Sequence, residues 1–194
     1  MKFSVFCGVS VDGFIARKND TFDFLDTGGN EPHGFTDFLN SVDVIVIGRR
    51  TFEVVRGLGH FGLYGNKQII VLSSRQLDLS SVKARIEQAS GTPQQIAAQL
   101  EKRGFKHAYV DGGITIQRFL EAGLIDRITV TRVPVLIGEG IPLFGRVIRD
   151  IKLRHLRTTA FKGGLVQSQY EVGKTAAART TQASANPKKR SKKK

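Results

Sequence analysis

Short apolar runs alternate along this chain with segments in which apolar residues recur every three or four positions. The first pattern is typical of buried β-strands and the second of amphipathic α-helices. The apolar runs predict strands at residues 3–9, 44–47, 68–72 and 107–110, and a longer strand at 127–137 that contains Pro134. The amphipathic segments predict helices at residues 35–42, 50–56, 92–104 and 113–122.

The helix predicted at residues 92–104 carries the clearest signals at its ends. Thr92 is suited to the N-cap and Pro93 to the first helical position. Gln95 stands three residues after the cap, as a capping box requires. Gly104 supplies the stop signal at the other end, so both limits of this helix can be predicted from sequence.

Near the C-terminus, two alternating runs at residues 153–159 and 165–172 flank Gly163 and Gly164, which predicts a hairpin. Upstream, strands that are almost wholly apolar alternate with helices, and this order predicts a sheet covered on both faces. We therefore expect residues 1–173 to form one three-layer α/β sandwich. Its central sheet should be mixed and mostly parallel, with a C-terminal antiparallel hairpin at one edge.

Most of the positive charge lies outside this predicted domain. The net charge of the 194 residues is +13, but residues 174–194 hold eight basic side chains and no acidic one, which leaves +5 for residues 1–173. The apolar side chains of this tail are no larger than alanine and proline, so it cannot bury enough surface to order itself. We expect a disordered, solvated tail, with weak contact to nucleic acid through its charge as the alternative.

The composition argues against several other kinds of site. Cys7 is the single cysteine, so neither an internal disulfide nor a cysteine-based zinc site is expected, and the four histidines lack metal-ligand spacing. No signal peptide or membrane span is predicted, which favours the cytoplasm. Gly57, Gly59 and Gly62 match a dinucleotide fingerprint, but they follow a predicted helix instead of a strand and indicate a flexible loop.

Three predicted strands end in residues suited to an anionic ligand. Residues 110–113 (Val-Asp-Gly-Gly) lead into a helix, where glycines let backbone N–H groups approach a phosphate. Residues 48–51 (Gly-Arg-Arg-Thr) add two guanidiniums, and residues 72–75 (Leu-Ser-Ser-Arg) add two hydroxyls and a third cation. A tight turn or an ordinary loop could explain each one alone. Together, at the carboxyl ends of strands, they indicate an extended phosphorylated ligand.

Five motifs occur in an order that resembles a known superfamily. They are Ser-Val-Asp-Gly-Phe-Ile-Ala at 10–16, Gly-Arg-Arg-Thr-Phe-Glu at 48–53, Leu-Ser-Ser at 72–74, Val-Asp-Gly-Gly at 110–113 and Pro-Val-Leu-Ile-Gly-Glu-Gly at 134–140. This order resembles the dihydrofolate reductase-like superfamily. The branch it resembles most is the C-terminal reductase domain of the bifunctional riboflavin biosynthesis protein, over roughly residues 2–172.

The resemblance implies an enzyme that uses NADPH to transfer a hydride to a small heterocyclic substrate. Its motifs place the cofactor's phosphates at Gly48, Arg49, Arg50 and Thr51, and its pyrophosphate at Gly112, Gly113, Ile114 and Thr115. They place its adenosine end, with the 2′-phosphate, at Leu72, Ser73, Ser74 and Arg75. Its nicotinamide would lie beside Ile15, Ala16 and Val110.

The proton donor and the substrate are less well defined. Asp12 and Asp37 are the two expected catalytic acids, although Asp12 also suits an Asp-Gly turn. The reaction implied is most like that of 5-amino-6-(5-phosphoribosylamino)uracil reductase in riboflavin biosynthesis. The alternatives are dihydrofolate reductase and a non-catalytic protein that binds nucleotides or nucleic acid. The resemblance also implies a homodimer, through residues 134–140 and the C-terminal hairpin.

Overall fold

The computed structural model describes residues 1–26, 33–145 and 147–173, and the predicted disordered tail lies outside them. The strands are β1 (Lys2–Ser10), β2 (Phe14–Ala16), β3 (Val44–Gly48), β4 (Gln68–Leu72), β5 (Ile86–Ala89), β6 (His107–Asp111), β7 (Arg127–Val133), β8 (Ile141–Pro142), β9 (Leu153–Ala160) and β10 (Val166–Val172). The helices are α1 (Phe35–Asn40), α2 (Arg49–Leu58), α3 (Pro93–Lys102) and α4 (Gly113–Glu121), with 3₁₀ turns at Asp23–Leu25 and His60–Tyr64.

Eight of the strands form one sheet, in the order β5-β4-β3-β6-β1-β7-β10-β9. The pairs from β5 to β7 are all parallel, whereas β10 and β9 add an antiparallel hairpin at the edge. The N-terminal strand β1 lies inside the sheet, between β6 and β7. The mixed, mostly parallel sheet and the C-terminal hairpin predicted from the sequence are therefore confirmed.

Apolar cores cover both faces of the sheet. On one face, Val5 of β1 packs with Ile96 of α3 and Phe119 of α4. On the other face, Tyr109 of β6 packs with Phe52 of α2. Burial of each such large side chain contributes about 1.5–3 kcal/mol, and the two cores together produce the three layers. None of the helices in the described residues is long and apolar enough to cross a membrane.

Helix α3 forms where its end signals predict it. The Thr92 hydroxyl accepts a hydrogen bond from the backbone N–H of Gln95 at 3.2 Å, and the Gln95 side-chain oxygen accepts one from the backbone N–H of Thr92 at 2.8 Å. These reciprocal bonds are the predicted capping box, and they satisfy two donors that a helix start otherwise leaves unpaired.

The strand predicted at residues 127–137 is wrong at its end, because β7 stops at Val133. Pro134 has no backbone N–H and cannot continue the ladder toward a neighbour. Instead, the N–H of Val135 turns back to the carbonyl of Val133 at 2.7 Å, and the carbonyl of Val135 accepts from Val11 at 2.8 Å. Residues 134–137 therefore form a loop that lies against the turn after β1.

Candidate active site

A cavity of about 1050 Å³ opens along the carboxyl ends of β4, β3 and β6 and continues toward β1 and β7. All three strand ends that the sequence indicated contribute to its wall. The predicted cofactor residues that line it are Ile15, Ala16, Gly48, Arg49, Arg50, Thr51, Leu72, Ser73, Ser74, Arg75, Gly112, Gly113, Ile114 and Thr115. Segments more than 50 residues apart in sequence thus meet around one space, as the parallel order of the strands requires.

Three predicted site residues lie elsewhere. Val110 is fully buried in the core on the α3 and α4 side, one residue out of phase with the strand positions that face the cavity. The carboxylate of Asp12 accepts a backbone N–H from Gly138 at 2.8 Å, which fixes the loop after β7, and Asp12 does not line the cavity. Asp37 is exposed on α1, also outside the lining. The catalytic roles of Asp12 and Asp37 stay predictions.

Glycines bring two helix starts together at this cavity. A Cβ atom on Gly112 would lie 2.2 Å from the hydroxyl of Thr51 in the first turn of α2. A Cβ atom on Gly48 would lie 2.7 Å from the hydroxyl of Thr115 in the first turn of α4. The turn before each helix therefore touches the other helix, and only glycine permits that approach.

Both helix starts present backbone donors to the cavity. The N-cap of α2 is Gly48 and that of α4 is Gly112, so no side chain caps either end. The first N–H groups of a helix have no partner within it, and they carry the positive end of the helix dipole. Two adjacent starts of this kind form a favourable site for an anion such as a pyrophosphate.

The arginines of the cavity are held by neighbouring acids. Arg49 pairs with Glu53 at 2.7 Å, and Arg50 pairs with Asp20 at 2.5 Å. Both pairs are partly exposed to solvent, so each contributes little to stability, about 1 kcal/mol at most. Their effect is to hold two guanidiniums at the start of α2, where the helix dipole alone would disfavour them.

The loop after β4 is fixed by a strand that the sequence did not predict. The side chain of Gln88 on β5 donates to the carbonyl of Ser73 at 3.0 Å and to that of Arg75 at 2.8 Å. The hydroxyl of Ser73 also accepts a hydrogen bond from the backbone N–H of Arg75 at 3.0 Å. These bonds position the exposed side chains of Ser74 and Arg75 at the cavity.

Asp111 is a half-buried acid in the cavity wall, and the sequence showed it only as part of a turn. Its carboxylate accepts the hydroxyl of Tyr64 at 3.0 Å and the N–H of Gly112 at 2.8 Å. Burial raises the pKa of Asp111 above its ordinary value, although hydrogen bonds from Tyr64, Gly112 and Tyr109 oppose the shift. An acid directly after an apolar strand was the available signal, because that edge of a parallel sheet is where ligands bind.

The described residues contain no group of three or more histidine, cysteine, aspartate or glutamate side chains that could hold a metal ion. Besides its backbone donors, the cavity wall carries guanidiniums, hydroxyls and the acids Asp20 and Asp111.

Comparison with known proteins gives a consistent result. Residues 2–167 match the family described as the RibD C-terminal domain. The uncharacterized protein YyaP of Bacillus subtilis (strain 168) is 32% identical over 177 residues, which cover 84% of this chain and 90% of YyaP.

Two solved structures show the same architecture. A putative riboflavin biosynthesis protein from Shewanella sp. PV-4 superposes with a TM-score of 0.83 at 32% identity, covering 89% of this chain and 99% of that one. Dihydrofolate reductase from Enterococcus faecalis, complexed with NADP(H), superposes with a TM-score of 0.60 at 17% identity, covering 88% and 96%. The second likeness shows the fold alone.

Proposed function

Because the chain belongs to the RibD C-terminal domain family, we propose that it is an NADPH-dependent reductase of a small heterocyclic substrate. The nearest known reaction is that of 5-amino-6-(5-phosphoribosylamino)uracil reductase, as the sequence motifs imply. The observation that carries the proposal is that two helix starts without a side-chain cap and four guanidiniums lie at one cavity.

The residues at the starts of α2 and α4 fit a dinucleotide. The close approach at Gly48 and Gly112 leaves backbone where side chains would otherwise stand, so a pyrophosphate could reach the N–H groups of α2 and α4. Arg75, on its fixed loop, would hold the 2′-phosphate that distinguishes NADPH from NADH. When bound, NADPH supplies the hydride.

The chain's own contribution to the reaction is binding, orientation and proton supply. Asp111 has a raised pKa, so it can hold a proton at the cavity wall at a higher pH than an exposed aspartate can. Asp12 and Asp37 remain the acids that the resemblance proposes. Replacing each of the three by asparagine and following NADPH consumption identifies the donor, since unchanged hydride transfer excludes a residue from that role.

The experiment that tests the proposal is titration with NADPH and NADH, measured by calorimetry. Loss of one charged hydrogen bond, of roughly 1.5–3 kcal/mol, is expected to make Arg75→Ala bind NADPH ten- to a hundredfold more weakly and leave NADH unchanged. Arg85→Ala is the matched control, because Arg85 is exposed and outside the cavity. If the unaltered chain binds neither dinucleotide, the proposed function is wrong.

Turnover distinguishes the proposed substrates. NADPH consumption is compared on 5-amino-6-(5-phosphoribosylamino)uracil and on dihydrofolate, which separates the riboflavin-type reaction from the dihydrofolate reductase alternative. If the chain binds NADPH and nucleic acid but reduces neither heterocycle, the result favours the non-catalytic alternative.

A further inference from the structure

The cavity continues past Asp111 to an end that is lined mainly by apolar side chains. We call it the apolar end and define it by the lining residues Phe6, Phe22, Leu25, Phe35, Val133 and Leu165. Register places its strand residues on one face of the sheet, since Phe6 is opposite Thr129 and Ser10 is opposite Val133. The start of β10 also reaches this edge, because Val166 pairs with Arg132.

The apolar end has a wall of aromatic rings that are tilted against one another. The rings of Phe6 and Phe35 lie 5.5 Å apart between centroids, and Phe35 meets the ring of Tyr109 edge-on at 6.2 Å. Leu25 lies over Gly8, on the same face of β1 as Phe6, so closely that a Cβ atom on Gly8 would be 2.9 Å from a methyl group of Leu25. Such surfaces favour an aromatic ring as ligand.

Four guanidiniums line the cavity, and none belongs to the residues that define the apolar end. The guanidiniums among the described lining residues are those of Arg49, Arg50, Arg75 and Arg118, from α2, the loop after β4 and α4. Among the described residues, none that lines the apolar end is a lysine or an arginine. Arg132 of β7 is exposed, and strand alternation puts it on the face opposite Thr131 and Val133.

A few uncharged polar groups accompany the apolar residues. The buried side chain of Gln167 donates to the hydroxyl of Thr131 at 3.0 Å and to the carbonyl of His33 at 2.9 Å. Thr131 and His33 line the cavity, and Asp111 lies between this end and the helix starts. The Thr131 hydroxyl and the His33 carbonyl can exchange hydrogen bonds with the polar edge of a heterocycle, and neither group carries a charge.

We propose that the substrate is an uncharged, flat heterocycle that carries neither phosphate nor carboxylate. This inference rests on the proposed function and narrows its substrate class. Arg49, Arg50 and Arg75 are assigned to the cofactor, and none of the six residues that define the apolar end is charged. A phosphate or glutamate group buried among those six residues would lose its hydration without gaining an opposite charge from them. The ring would lie against Phe6 and Phe35, with its polar edge toward Asp111 and Thr131.

The test uses the full chain saturated with NADP⁺, so that residues 174–194 are present and no turnover occurs. Two ligand pairs are titrated by calorimetry: 5-amino-6-(5-phosphoribosylamino)uracil against its dephosphorylated counterpart, and dihydrofolate against 7,8-dihydropterin. The uncharged member of each pair is expected to bind at least about tenfold more tightly.

Paired variants locate the site. Phe22→Ala is expected to weaken binding of the uncharged ligands, because this half-exposed ring lines the apolar end. Phe144→Ala is the control, since Phe144 is similarly exposed, at 45% against 39%, but lies outside the cavity.

The outcomes separate the two proposals. If the charged member of either pair binds as tightly as its partner, or if the uncharged members fail to bind to a chain that binds NADP⁺, the substrate inference is overturned and the reductase proposal stands. Equal losses in Phe22→Ala and Phe144→Ala also overturn the inference. If the chain does not bind NADP⁺ at all, the proposed function fails and the inference fails with it.

Discussion

Gly112 is the residue on which the geometry of the proposed cofactor site depends most directly. It has a φ of +91°, a conformation that L side chains rarely adopt, and it stands at the start of α4. The hydroxyl of Thr51 occupies the space where its side chain would be. Conformation and contact therefore both require glycine here, whereas at Gly138 only the conformation does, because nothing lies within 4 Å of a Cβ atom there.

This difference predicts unequal costs for the same substitution. Gly138→Ala is expected to lower the free energy of unfolding by about 1 kcal/mol, through its positive φ alone. Gly112→Ala is expected to lower it by at least about 1 kcal/mol more, because α2 must also move away from α4. Urea unfolding of the two variants measures both values. Equal costs would show that the contact with Thr51 relaxes freely.

Short sequence motifs identified the residues proposed to bind the cofactor, but they gave only a weak signal for the acid Asp111. The glycines and arginines of the strand ends carry their chemistry in short motifs, so their approach to one cavity followed from strand order. Asp111 gave a weaker signal, because its significance lies in its burial and in the hydroxyl of Tyr64, 47 residues away in sequence. Such a contact depends on tertiary structure, and no local pattern encodes it.

At the scale of elements, the long strands of the sheet and the C-terminal hairpin were predicted, whereas the short edge strand β5 was not. The strands β3 and β4 each contain a continuous apolar run and were predicted within a residue of their limits. β5 consists of Ile-Glu-Gln-Ala, with every residue half-buried, and pairs with β4 at the edge of the sheet. The formation of such an edge strand depends on pairing with its neighbour more than on its own pattern of apolar residues.

Strand β6 also shows how one side chain joins several elements. His107, its first residue, contacts the hydroxyl of Ser4 on β1 at 2.8 Å and the carbonyl of Ser41 after α1 at 2.8 Å. Burial lowers the pKa of His107 below its ordinary value, with a smaller contribution from the charge of Lys2, while Ser41 and the acids Asp43 and Asp126 oppose the shift. The neutral ring suits both contacts, donating to the carbonyl and accepting from the hydroxyl.

The lowered pKa of His107 predicts a loss of stability in mild acid. The unfolded chain takes up the proton more readily than the folded chain, so this contribution is complete above about pH 6.5 and is lost as the pH falls through the folded-state pKa. Urea unfolding between about pH 7.5 and pH 5 should show it. His107→Gln is expected to flatten this slope, whereas His60→Gln, at an exposed position, should not. An unchanged slope in His107→Gln would mean that other titrating groups cause the loss of stability in acid.

For the molecule as a whole, charge is distributed very unevenly between the folded domain and the C-terminal segment. The domain of residues 1–173 carries +5 of the net +13. Its last described residue, Gly173, donates to the carbonyl of Lys152 at the start of β9, and this end of β10 is opposite the edge that bears the cavity. The domain therefore holds the complete set of proposed binding residues without the tail.

This separation predicts the effect of ending the chain at Gly173. At about 0.15 M ionic strength charges are screened beyond about 8 Å, so the NADPH dissociation constants of the full and shortened chains should agree within about twofold. Their free energies of unfolding should agree within about 0.5 kcal/mol.

At about 0.01 M, where screening extends to about 30 Å, the full chain should bind NADPH more tightly, because the tail's eight positive charges then act on the anionic cofactor. Titration of both chains with NADPH across this range of salt measures the difference. A loss of affinity in the shortened chain that persists at high salt would mean that the tail contacts the cofactor directly, and the cavity described above would then be only part of the site.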